Sequence, residues 1–162
     1  MPDRTTCPAR AIAEGTAARL LTAERSAVTL GVLRNVLVRQ QEARAQSDHR
    51  ALALIHWEFH RTICHRSNNP FLLDLWTKVS NVIRIYSTGA FYKTAVENNE
   101  VFLRYFSEKS PSEAEEVLRS QIIVMSYFYL NKPIPAGDPG VRGCEHRNKP
   151  HHYSITSSAA TN

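Results

Sequence analysis

From its first dozen residues to about Lys132, the chain repeats apolar residues at three- and four-residue intervals, and no stretch alternates convincingly with period two. That spacing puts apolar side chains on one face of a helix and leaves strands without a signature. The first helix carries Ile12, Ala13, Thr16, Ala17, Leu20 and Leu21 inward, and the second carries Leu30, Leu33, Val36 and Leu37 behind a capping Ser26. Ser47 is expected to cap the third, with Leu52, Ile55, Phe59 and Ile63 turned inward. Asn69-Pro70 reads as a helix start, a capping side chain followed by proline at the first helical position. Leu72, Leu75, Trp76, Val79, Ile83 and Tyr86 then run down one face. A shorter fifth helix holds Phe102, Leu103 and Phe106. Ser110-Pro111-Ser112-Glu113 has the form of a capping box, and Ala114, Val117, Leu118, Met125 and Tyr129 face inward behind it. Six amphipathic helices with short joints predict an all-α fold, an antiparallel helical bundle.

The pattern also sets the domain boundaries. Residues 1–7 form a short N-terminal remnant and 8–132 the helical domain. Beyond Asn131, Pro133, Pro135, Gly137, Pro139, Gly140 and Gly143 break any helix, and the polar run HRNKPHHYSITSSAATN has no period. Residues 133–162 are therefore expected to be a disordered tail. A folded part of about 130 residues buries roughly two-thirds of its unfolded surface, so no disulfide or structural metal is required. Cys7, Cys64 and Cys144 are odd in number and far apart, which argues for reduced thiols. No run approaches the roughly 18 apolar residues of a membrane span. The start, MPDRTTCPARAIAEG, has no apolar secretory segment, and the expected location is the cytoplasm, away from membranes. The net charge of +5 is spread among acidic residues without a basic run, so it makes no case for nucleic acid.

Four polar residues interrupt the apolar faces. His56 and His60 lie one turn apart beside Ile55 and Phe59, Asn99 shares a face with Phe102, Leu103 and Phe106, and Gln121 sits between Leu118 and Met125. An i, i+4 histidine pair leaves one helix face about 6 Å apart and makes a chelating half-site. One reading is a small-molecule or metal pocket lined by all four; the other is that each is a core or boundary residue satisfied by its own neighbours. Catalysis has little support. The run His56-Trp57-Glu58-Phe59-His60 places its glutamate where the HExxH metalloprotease motif does not, and no carboxylate is visibly paired with a nucleophile.

At His56-Trp57-Glu58-Phe59-His60, followed by Ser67-Asn68-Asn69-Pro70, the sequence resembles the C-terminal ligand-binding (FCD) domain of FadR-type GntR transcription regulators. The opening Arg10-x-x-x-Glu14 and the Ser-Pro-Ser-Glu start of the last helix extend the resemblance over about residues 8–131. It implies a non-enzymatic, homodimeric bundle that binds a small carboxylate effector, in many members beside a divalent metal held by one aspartate and three histidines. Carried over residue by residue, the aspartate position is His56, the first histidine is His60, and the other two positions fall on Asn99 and Gln121. Amide oxygens are weak ligands for zinc or nickel, so a metal held at His56 and His60 would be held weakly. Arg10 matches a first-helix arginine whose planar fork suits a carboxylate, with Asn99 and Gln121 lining the same site. The family's winged helix-turn-helix has no counterpart ahead of the first helix, so specific DNA binding by this chain is not expected. The alternative is an interaction protein with a degenerate pocket.

Overall fold

Side chains at the helix joints set where each helix stops and the next begins. In the computed structural model, which describes residues 6–84, 95–108 and 110–129, the helices are α1 Thr6–Glu24, α2 Ala27–Ala45, α3 His49–Arg66, α4 Pro70–Arg84, α5 Ala95–Glu108 and α6 Pro111–Tyr129. No strand occurs among the described residues, and the fold is an all-α helical bundle. None of these helices is long and apolar enough to cross a membrane.

The first three joints share one device. Arg25, Ser47 and Asn68 take positive φ of 55°, 56° and 57°, the left-handed turn that releases a helix C-terminus. The residue just after each caps the next helix. Ser26 Oγ accepts from Thr29 N at 3.2 Å, and Asp48 Oδ1 accepts from Ala51 N at 2.9 Å. Asn69 Oδ1 accepts from Phe71 N at 3.1 Å and Leu72 N at 3.3 Å. The third helix is thus capped by Asp48 rather than Ser47, because Ser47 is used for the left-handed turn. At α6, Ser110 Oγ donates to the Glu113 carboxylate itself, a side-chain version of the expected capping box.

Helix α1 is the most buried, packed on α3, α4 and α6. Ala11, Ala13, Ala17 and Ala18 allow the close approach. At Gly15 a Cβ would collide with the Arg119 side chain of α6. The buried face of α1 is not the expected apolar stripe. Ala13, Ala17 and Leu21 are inside, but Ile12 and Leu20 are 49% and 38% exposed, while Arg10 and Glu14 are buried. The helix has turned toward its smallest residues, and the charged pair is carried in with them. Around it Phe59, Phe102, Ile63, Leu33 and Leu118 form the core, with Phe59 and Phe102 edge to face at 6.0 Å. Ala43, Leu52 and Val96 make a smaller cluster. On α4, Trp76 is buried as expected, whereas Leu75 is 36% exposed and Phe71 82%. The expected tail at 133–162, Cys144 and the inward positions assigned to Tyr86 and the side chains of Ile83 and Tyr129 lie outside the described residues.

Candidate functional site

The interior holds two groups of polar side chains. The first is built on Glu14 of α1, which is fully buried. Arg10, one turn earlier, donates from Nε to Glu14 Oε1 at 2.5 Å. Trp76 Nε1 of α4 donates to the same oxygen at 2.5 Å. On the other oxygen, Oε2, His60 Nδ1 of α3 closes to 2.5 Å. Three helices therefore converge on one carboxylate. Burial alone would raise the Glu14 pKa, but the Arg10 charge, His60 and the hydrogen bonds of both overrule it and hold the group at about 2. The carboxylate is ionised at neutral pH, so a neutral His60 must carry its proton on Nδ1, leaving the lone pair on Nε2.

Both histidines are held neutral. His60 is lowered by burial, against the pull of Glu14. His56 is pushed well below its ordinary value by burial, then by His60 and Arg10. Their rings meet edge to face with centroids 4.5 Å apart. Arg10 also lies over the Trp57 ring, 4.7 Å from its centroid. Cys64 is a buried free thiol whose pKa burial drives upward, with Glu14 adding to the effect. It is accordingly a poor nucleophile.

The second group is uncharged. Asn99 Nδ2 of α5 donates to Gln40 Oε1 of α2 at 2.9 Å, and Gln121 Nε2 of α6 donates to the Asn98 carbonyl at 2.8 Å. Gln40 Nε2, Asn99 Oδ1 and Gln121 Oε1 are buried without a hydrogen-bond partner among the described residues. Each such atom costs about 1–3 kcal/mol unless something else satisfies it. The Phe59 ring packs 5.9 Å from His60 and 6.0 Å from Phe102.

Of the residues singled out in the sequence, His56, His60 and Arg10 are brought together, whereas Asn99 and Gln121 take other partners. A carboxylate on Nδ1 is the support that orients a histidine to ligate through Nε2. Yet the remaining family positions offer only amides, and no group of three or more His, Cys, Asp or Glu among the described residues is placed to hold a metal. The donor set does not fit a tightly held zinc or nickel ion, which needs three or four strong ligands. Sequence reasoning did not place Glu14, Trp76 or Gln40 in the site. Glu14 had a visible signal, a charged residue set among Ala11, Ala13, Ala17 and Ala18, and Gln40 continues the second helix's stripe one turn past Val36.

A family model described as the FCD domain matches residues 6–122. Searches of curated proteins and of solved structures return no match.

Proposed function

The chain belongs to the FCD domain family, the regulatory domains of GntR-type transcription regulators, and on that premise we propose that it senses a small carboxylate bound among the polar residues of the bundle core. What carries the reading is the set of buried amide atoms without partners, Gln40 Nε2, Asn99 Oδ1 and Gln121 Oε1, beside the Arg10–Glu14–His60 group. A polar ligand supplies the missing hydrogen bonds. The planar fork of a guanidinium such as that of Arg10 suits a carboxylate. Because Glu14 already balances the Arg10 charge, a second carboxylate calls for a proton. His60 and His56 are held neutral by burial, and an incoming anion favours their charged form. Effector binding then takes up a proton and tightens as pH falls from 7.5 to 6.

On this reading the domain performs no catalytic step, makes no sequence-specific DNA contact and works in the cytoplasm as a homodimer. The pairing surface is the outer faces of α1 and α4, where Ile12, Leu20, Phe71 and Leu75 are exposed. The test is a thermal-shift screen of small mono- and dicarboxylates at both pH values, with their neutral amides as controls. At least one acid is expected to raise the Tm of the wild type, more so at pH 6, and to lose that effect in Asn99→Leu. If no acid in the panel does so, the domain is better read as an interaction module with a closed polar core.

A further inference from the structure

A recess opens on the side of the bundle between α3 and α4. It is a half-open cleft of about 340 Å³ whose lining includes Leu54, Trp57, Arg61, Trp76 and Ser80. That volume suits a small organic molecule. Trp57 and Trp76 form its floor, only 8% and 5% exposed, with ring centroids 6.1 Å apart and planes tilted by 60°. Leu54, 57% exposed, adds an apolar wall.

Two polar features break this apolar lining. Ser80 is 3% exposed, and its hydroxyl has no hydrogen-bond partner among the described residues. The neighbouring Thr77 hydroxyl, by contrast, is spent on the Leu73 carbonyl at 2.7 Å. At the rim Arg61 is exposed and forms no ion pair among the described residues. The one acid in the lining, Glu58, is taken by Arg39 at 2.7 Å. The rim therefore presents one uncompensated guanidinium above an indole floor that contains a hydroxyl in want of a partner.

We propose that this α3–α4 cleft is a binding site for a small aromatic carboxylate, its ring on Trp57 and Trp76, its carboxylate on Arg61, and Ser80 donating to it. A planar ring gains most against indole surfaces, and a carboxylate matches the guanidinium fork with two parallel hydrogen bonds. The site is separate from the core site and does not rest on it. It is nonetheless wired to the core, because Trp76 also donates to Glu14 and Trp57 lies under Arg10.

The two floor residues are the only tryptophans in the protein, so intrinsic fluorescence responds to the cleft, and the Arg61 variant separates that response from one at the core. The experiment titrates the full chain with benzoate, benzamide and acetate. Benzoate is expected to change the emission saturably. Benzamide, the neutral isostere, and acetate, which lacks the ring, are each expected to bind at least about tenfold more weakly. Arg61→Gln, on an exposed side chain, should weaken benzoate by about tenfold, and Ser80→Ala by a few-fold. Equal binding of benzoate and benzamide overturns the carboxylate assignment without any variant. No saturable change with benzoate overturns the site. A benzoate response that survives Arg61→Gln undiminished places the ligand in the core and also overturns it, while loss of a core effector leaves the Arg61-dependent response intact.

Discussion

Glu14 Oε2 on α1 and His60 Nδ1 on α3 lie 2.5 Å apart, both buried, and join positions 46 residues apart in sequence. The same carboxylate receives Arg10 and Trp76, so one side chain ties α1 to both α3 and α4. Removing it takes from the buried Arg10 guanidinium the carboxylate one turn away. Glu14→Leu is expected to cost about 3–5 kcal/mol. His60→Gln, which loses one hydrogen bond to a charged group, is expected to cost about 1.5–3 kcal/mol. Urea unfolding gives both values, and a Glu14→Leu midpoint indistinguishable from wild type would refute the tie.

The same groups set the response to acid. His56 and His60 have folded pKa values below 6.5, so the unfolded chain binds their protons first and stability begins to fall as pH drops below about 6.5. Glu14 is held at about 2 against an ordinary 4.5. Its contribution is complete above about 4.5 and is lost as pH falls from there toward 2, about 3 kcal/mol in all. Stability should therefore decline in two stages, the first removed by His56→Leu together with His60→Gln. Urea midpoints measured from pH 8 to 3 that stay flat between 7 and 5 would contradict the buried, neutral histidines.

The helices were legible because burial against neighbours acts on every third or fourth residue, and that rhythm survives in a single chain. Caps at Ser26 and Asn69 were legible for the same local reason. The face that α1 buries was not. Ile12 and Leu20 are more apolar than Ala11 and Ala18, yet close packing on α6 favours the small residues, and only the partner helix decides that. His56 and His60 could be paired from the sequence, since one helix sets their spacing. Their partner Glu14 lies on another helix, and Gln40 meets Asn99 from 59 residues away. Contacts of that range follow from the packing of whole helices.

The joints offer a stability test free of the site. Arg25 and Ser47 adopt φ of 55° and 56° with a Cβ that this region penalises. Arg25→Gly and Ser47→Gly should each be neutral to stabilising, by up to about 1 kcal/mol, although glycine also loosens the unfolded chain. Asp48→Ala removes the cap on Ala51 N and should cost about 1 kcal/mol. Thermal melts check both signs, and an Arg25→Gly variant that melts well below wild type would argue against a left-handed residue at that joint.

Phe71 is 82% exposed and Leu75 follows it one turn later at 36%, an unusual display for a helix that buries Trp76 on its other side. If a second copy covers this face, Phe71→Lys should shift the protein from dimer to monomer in sedimentation at tens of micromolar, with helix content unchanged. A monomeric wild type under those conditions would remove the proposed pairing surface.

His60 is oriented through Glu14 and His56 stands beside it, but the family's other two ligand positions carry Asn99 and Gln121, whose nitrogens bond to Gln40 and to the Asn98 carbonyl. Wild-type protein should bind nickel weakly, through imidazole nitrogens that must be neutral, and lose it in acid as those nitrogens protonate. Converting both amides, Asn99→His with Gln121→His, replaces weak ligands by strong ones. If the two groups face one cavity, nickel affinity measured by calorimetry should rise by at least about tenfold, and His60→Ala in that background should abolish the gain. A double variant that folds, by circular dichroism, but gains no affinity would mean that Phe59 and Phe102 separate the groups and that the amides serve a site without the histidines. The metal result would then differ from the effector result, since a carboxylate reaching only Gln40, Asn99 and Gln121 would bind with no dependence on pH between 7.5 and 6.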